Sequence, residues 1–89
     1  MASMKQIEYF RVEIDTLNNQ IIDLLGKRME ITKKVGELKK ELGLKVRDYE
    51  REHQVISNMR ERAKLQELPQ EYVEQIFELI MKASRKVQR

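Results

Sequence analysis

Hydrophobic residues in the first half of the chain recur at alternating steps of three and four, which places them on one face of an α-helix. The pattern fits a heptad repeat with two apolar positions. This set, called here the long-helix stripe, consists of Ile7, Ile14, Ile21, Val35 and Leu42 at position a and Phe10, Leu17, Leu24, Ile31 and Leu38 at position d, with Leu25 widening it. The spacing predicts a helix from about Ser3 or Lys5 to Leu42, ended by Gly43.

Two further helices are predicted after this break. Asp48 is a good N-cap, with Glu50 and Glu52 near the positive end of a second helix that carries Val55, Ile56, Met59 and Ala63. Pro69 fits the first turn of a third helix, where its missing N–H is not needed. That helix runs nearly to the end of the chain, with an apolar face of Tyr72, Val73, Ile76, Phe77, Ile80, Ala83 and Val87.

The predicted first helix is too long for a compact monomer. It spans roughly 55 Å, whereas a globule of this length has a radius of gyration of about 12 Å. The 89 residues make one domain, 1–89, with no linker or repeat. We therefore predict an all-α fold of three helices (long, short, medium) in which the long helix pairs with its own copy in a homodimer.

The amino-acid composition excludes several classes of function and fold. The chain has no Cys and only one His, His53, so zinc and thiol chemistry are not expected, and no nucleophile–base set or phosphate loop is present. Three Gly and one Pro are too few for an all-β fold. The 18 basic and 15 acidic residues are interleaved, which argues against a nucleic-acid partner. No apolar run predicts a membrane span or secretion signal, so we expect a cytoplasmic protein.

Arg28 interrupts the long-helix stripe at a heptad position a. A buried guanidinium without an anionic partner is costly, so something negative is expected beside it. A neighbouring acidic side chain or exposure to solvent would also explain it. Lys39 lies eleven residues further on and points the same way, so the two cations can flank a cavity for a small dianion.

Arg11 lies about 25 Å along the helix from Arg28, too far for one chain to bring both to one small ligand. An antiparallel partner helix could supply Arg11 instead. A plain solvated flank is the alternative interpretation of this residue.

Five polar residues at the starts and ends of the shorter helices form a second group of candidates. Asp48 and Glu52 share a face at the start of the second helix, although capping explains Asp48 and first-turn surface charge explains Glu52 and Arg51. Ser84 and Gln88 are four residues apart on the third helix and would line a pocket if they face inward, or lie on the surface if they do not.

Taken together, Arg11, Arg28, Lys39, Asp48, Arg51, Glu52, Ser84 and Gln88 resemble the active-site set of the all-helical (AroQ-class) chorismate mutases. Three segments carry the resemblance: R-x-x-I-D-x-L-N-x-x-I-x-x-L-L-x-x-R from Arg11 to Arg28, V-G-x-x-K from Val35 to Lys39, and V-R-D-x-x-R-E from Val46 to Glu52. The resemblance covers nearly the whole chain, from about Ile7 to Gln88.

The resemblance implies the [3,3] rearrangement of chorismate to prephenate in phenylalanine and tyrosine synthesis, without metal or cofactor. It implies an intertwined homodimer in which Arg28 and the partner chain's Arg11 bind the two carboxylates of the substrate. Ser84 and Arg51 would assist at the ring carboxylate, and Glu52 with the backbone near Asp48 would hold the ring hydroxyl. Lys39 and Gln88 would donate to the ether oxygen.

The same residues also fit other functions. A non-catalytic or regulatory dimerisation domain that binds chorismate or prephenate would need nearly the same residues, and some members of the family act on isochorismate as a pyruvate lyase. The family often occurs fused to other enzymes of aromatic amino-acid synthesis, so a fused or associated shikimate-pathway enzyme is a further partner that the resemblance allows. A basic coiled coil on nucleic acid would carry outward-facing cations, which Arg28 within the stripe argues against.

Overall fold

The computed structural model describes all residues, 1–89, and consists of three helices without strands. They are α1 (Met4–Leu42), α2 (Tyr49–Leu65) and α3 (Gln70–Gln88). The prediction of an all-helical chain with a long, a short and a medium helix is confirmed. None of the three helices contains an apolar stretch of the length that a membrane span requires.

Helix α1 ends where the glycine predicted it. Gly43 takes a left-handed φ of 69°, while its N–H donates to Lys40 O and the N–H of Leu44 donates to Lys39 O at 2.8 Å. These two bonds form a Schellman motif, which satisfies the last carbonyls of the helix and requires a positive φ that glycine adopts at low cost.

Helix α2 begins at the predicted cap. Asp48 has extended backbone angles, and its Oδ1 accepts the N–H of Arg51 at 3.0 Å. The C-terminal end of α2 has the same Schellman motif as that of α1, because the N–H of Leu68 donates to Ala63 O and the N–H of Glu67 donates to Lys64 O. Here the left-handed position is occupied by Glu67, with φ 57°, rather than by glycine.

The start of α3 differs from the prediction by one position. Pro69 is the N-cap of α3 and not a residue of its first turn, because its ψ of 124° is extended while its carbonyl accepts the N–H of Val73. The physical argument for a proline near this end is unchanged, since the helix begins directly after it.

The chain divides into two compact units, Met1–Ile31 and Thr32–Arg89. The first consists of most of α1, and its large apolar side chains are exposed: Ile14 at 54%, Leu17 at 55% and Leu24 at 63%. The second contains the end of α1 with α2 and α3. Its buried residues are Gly36, Ala63, Val73, Met81, Ser84 and Gln88.

The predicted apolar face of α3 is confirmed in part, because Val73 is buried and Phe77, Ile80 and Val87 are half-buried. Tyr72, Ile76 and Ala83 were expected to face the core but are exposed, whereas Met81 is buried. The apolar residues of α3 cover more surface than α2 and the end of α1 can bury, so periodicity alone did not determine which of them are buried. The four expected apolar residues of α2 are buried or half-buried, as predicted.

Candidate active site

Lys39, Ser84 and Gln88 are brought together where the last turns of α1 and α3 meet. Lys39 Nζ donates to Gln88 Oε1 at 2.7 Å, and the Gln88 amide nitrogen donates to Ser84 O at 3.1 Å. Both Ser84 and Gln88 are only 9% exposed, so the interpretation of this pair as surface residues is wrong. The Ser84 hydroxyl donates to Ile80 O at 2.9 Å.

A glycine makes this close meeting of helices possible. A Cβ placed on Gly36 would lie 2.9 Å from Gln88 Cα, closer than real Cβ atoms approach a backbone atom. The backbone of α1 therefore contacts the backbone of α3 at Gly36, one turn before Lys39. Gly36 belongs to the V-G-x-x-K segment, and a glycine within a helix is a signal that could have indicated this close approach, although the sequence analysis did not predict it.

Lys39 also fixes the loop between α1 and α2. Its Nζ donates to Val46 O at 2.7 Å, two residues before the Asp48 cap. One ammonium group thus joins α3 to the segment that begins α2. The carbonyl of Val46 was not a sequence candidate, because backbone atoms leave no signal in side-chain patterns.

Glu52 belongs to a second polar cluster, between α2 and α3. Arg85 Nη1 donates to both Glu52 carboxylate oxygens at 2.8 Å, and Arg47 Nε lies 3.4 Å from Oε1. The Glu52 side chain is only 19% exposed, so it is not a plain surface charge. Arg47 also places its guanidinium 4.3 Å above the ring centre of Tyr49.

Arg85 was missed from the sequence. It follows Ser84 on α3 and lies 33 positions from Glu52, and among 18 interleaved cations nothing in its spacing distinguished it. Only the packing of α3 against α2 brings the two together.

The remaining candidates have different environments. Asp48 and Arg51 are exposed, and the Asp48 side chain caps α2. In the first unit, Arg28 is half-buried, and Arg11 is exposed with its Nη1 2.7 Å from Glu8 Oε1. The bond to Glu8 is local, between residues three positions apart on one helix, and contributes little in solvent.

An open cleft of about 720 Å³ lies between α2 and α3. Glu52 and Arg85 line it, but Lys39, Ser84 and Gln88 do not. The cleft therefore includes the Glu52 cluster but not the Lys39–Gln88 pair.

The comparisons with known proteins identify the class to which this all-helical site belongs. A family model described as chorismate mutase type II matches residues 10–89. The chain belongs to the chorismate mutase type II family.

Individual relatives agree with this assignment. A chorismate mutase from Methanocaldococcus jannaschii is 26% identical over 86 residues, which are 97% of this chain and 87% of that protein. A bifunctional chorismate mutase/prephenate dehydratase from Buchnera aphidicola is 30% identical over the whole chain. The chain spans 23% of that protein, about a quarter of its length, and 21% of another of the longer relatives that it matches.

A solved structure shares the fold. A conserved hypothetical protein from Pyrococcus furiosus superposes with a TM-score of 0.76 at 39% identity, covering 99% of this chain and 100% of the other.

Proposed function

We propose that the chain catalyses the intramolecular rearrangement of chorismate to prephenate, as a homodimer with a site completed by the second subunit. The reaction moves the enolpyruvyl group within one molecule and needs no nucleophile or general base. The protein must hold the substrate in a folded shape and stabilise negative charge on the ether oxygen of the breaking bond.

The observation that carries the proposal is the hydrogen bond between Lys39 Nζ and Gln88 Oε1. An ammonium group has three N–H donors and a carboxamide has two. Lys39 uses two of its donors, for Val46 O and Gln88 Oε1, and Gln88 uses one, for Ser84 O. Each group keeps one N–H, and the two groups are adjacent. They are suited to donate to a single oxygen that becomes negative.

These donors favour the transition state over the bound substrate. The ether oxygen carries more negative charge in the transition state, so donation from Lys39 and Gln88 strengthens as the bond breaks. Because both groups are held by hydrogen bonds in advance, little reorganisation is required at the moment of reaction.

The resemblance supplies the roles of the other candidates. Arg28, with Arg11 of the partner subunit, would bind the two carboxylates. Arg51 and Ser84 would assist at the ring carboxylate, and the Ser84 hydroxyl would have to turn from Ile80 O to do so. Glu52 and the backbone near Asp48 would hold the ring hydroxyl.

Exposed apolar surface supports the second subunit. The apolar residues of the long-helix stripe are between 41% and 71% exposed, apart from Leu25 at 37%, and so many exposed apolar side chains are typical of an interface. A second copy of the chain is the partner that best explains this exposed stripe, because heptad spacing is typical of helices that pair with their own copy. The second copy would also bring its Arg11 to the site of the first chain, whose own Arg11 lies too far away along the helix.

Family membership and the relative named chorismate mutase favour catalysis over a regulatory binding domain. The bifunctional relative shows that such a domain can be one part of a longer enzyme, so a fused or associated enzyme of the same pathway belongs to the proposal. Chorismate is the proposed small-molecule partner.

The test is consumption of chorismate with identification of the product. We expect prephenate, and we expect Lys39→Met to lose at least about 100-fold in kcat/KM. Lys40→Met is the matched control, since Lys40 is exposed and its side chain makes one long hydrogen bond, to Arg89 O at 3.4 Å; its kcat/KM should stay within about twofold of the parent value. Release of pyruvate would indicate the lyase reaction, and binding without turnover would indicate a regulatory domain.

A further inference from the structure

Arg85 holds the Glu52 carboxylate from the facing helix. Its Nη1 donates to Oε1 and Oε2, both at 2.8 Å, and the two side chains are 20% and 19% exposed. Arg47 is a weaker partner, with 3.4 Å between Nε and Oε1 and 46% of its side chain exposed. Arg85 is therefore the group that sets the orientation of this carboxylate.

The bond leaves Glu52 able to accept more. A carboxylate has about four lone-pair sites, and donors from Arg85 and Arg47 occupy at most three of them. A carboxylate on a free glutamate side chain would sample many orientations, whereas one fixed from α3 loses less entropy when it accepts another hydrogen bond.

We infer that Arg85 is a positioning residue, which holds Glu52 in the orientation that accepts a hydrogen bond from the ring hydroxyl of the substrate. The inference rests on the proposed function, because it concerns the same substrate. It adds a residue that the motifs of the sequence did not contain, and it assigns Arg85 a part in selecting a hydroxylated ligand.

The kinetic effect follows from the chemistry of the hydroxyl. The hydroxyl takes no part in the bonds that form and break, so Glu52 binds it equally in the substrate and in the transition state. Loss of such uniform binding raises KM and leaves kcat nearly unchanged. Loss of a group at the ether oxygen would instead lower kcat.

The experiment compares two ligands in the Arg85→Met variant: chorismate and a chorismate analogue without the ring hydroxyl, used as a competitive inhibitor. We expect KM for chorismate to rise about tenfold, the scale of a hydrogen bond to a charged group, with kcat within about twofold. The Ki of the analogue should change less than about twofold, because it offers no hydroxyl for Glu52.

Arg60→Met is the matched control. Arg60 on α2 pairs with Glu74 on α3 at 3.2 Å, so it joins the same two helices by the same chemistry, away from Glu52. It should lower the thermal midpoint about as much as Arg85→Met while leaving KM unchanged. Arg85→Lys keeps the charge and one donor nitrogen but cannot reproduce the guanidinium geometry, so its KM for chorismate should lie between that of the parent and that of Arg85→Met.

Other outcomes would overturn the inference. An equal weakening of both ligands would show that Arg85 acts on the substrate through its own charge, and a lower KM would show that it competes with the substrate for Glu52. If Arg85→Met does not fold, Arg85→Lys decides: an unchanged ratio of chorismate KM to analogue Ki contradicts the inference. A parent chain without mutase activity would contradict the proposed function itself. An active parent whose Arg85 variants have an unchanged KM for chorismate would contradict only this inference.

Discussion

Lys39 Nζ donates a 2.7 Å hydrogen bond to Gln88 Oε1, joining the last turn of α1 to the last residue of α3 across 49 positions of sequence. This bond determines the orientation of the Gln88 carboxamide, since only its oxygen can accept from the ammonium group. Since Oε1 accepts from the ammonium group, the other end of the carboxamide is the nitrogen, which keeps one N–H beyond its bond to Ser84 O.

Gln88→Glu should make the activity depend on protonation of the introduced carboxyl group. An ionised carboxylate at this position could still accept from Lys39 but could donate nothing to the ether oxygen, so kcat/KM near neutral pH should fall by about 100-fold. Activity should rise as pH falls through the pKa of the introduced carboxyl, because its protonated form has an O–H donor. We would measure kcat/KM against pH with helicity at each point.

The parent is the first reference for this experiment and Gln88→Met is the second. The parent carboxamide has no titratable proton, so its profile should be flatter, and Gln88→Met should be slow at every pH. A Gln88→Glu profile parallel to that of the parent would show that the amide donates nothing to the reaction.

Gly36→Ala should separate α1 from α3. Its Cβ would meet the Gln88 backbone at 2.9 Å, so the helices must move apart at a cost of about 1 to 3 kcal/mol. The same movement would break the Lys39–Gln88 bond and lower kcat. Gly26→Ala is the control, since nothing lies within 4 Å of its Cβ, and it should stabilise α1 by up to about 1 kcal/mol. Thermal unfolding and kcat should be measured for both variants. A Gly36→Ala protein with the thermal midpoint and kcat of the parent would contradict the close approach of α1 and α3.

The chain should fold only as a dimer, because the exposed residues of the long-helix stripe need a second surface. Light scattering should give twice the mass of one chain, and the denaturation midpoint should rise with protein concentration. A monomeric mass with a midpoint independent of concentration would exclude the proposed assembly.

Arg28→Ala should cost about 3 kcal/mol in kcat/KM, the scale of a desolvated ion pair, while the fold survives. Arg28 is only half-buried, so its replacement by alanine should not prevent folding. Circular dichroism and steady-state kinetics measure the two effects separately. Near-normal efficiency, or simple unfolding, would contradict a ligand role for Arg28.

Mixing two inactive variants tests whether the site is shared. Arg11→Ala chains and Arg28→Ala chains should each be nearly inactive alone. A heterodimer of the two contains one site with both defects and one with neither, so exchange of chains should restore up to half of the activity per heterodimer. If exchange is verified by mass and no activity returns, Arg11 does not act across the interface.

Local chemistry explains why the sequence predicted the helices. Gly43 ends α1 and Asp48 begins α2 through bonds to residues no more than five positions away, and such effects are visible in a short stretch of sequence. The three helices and the candidates Lys39, Ser84 and Gln88 followed from spacing and from the family resemblance. The roles of all eight candidate residues remain predictions.

What the sequence could not supply depends on the packing of distant segments. The Arg85–Glu52 pair spans 33 positions, and only the contact between α2 and α3 selects this arginine among many. The buried edge of α3 likewise depends on which apolar residues α2 and Gly36 can cover, so Met81 replaced Tyr72 and Ile76 in the core. Periodicity determines that a helix has an apolar side, but the neighbouring helices determine which part of that side is buried.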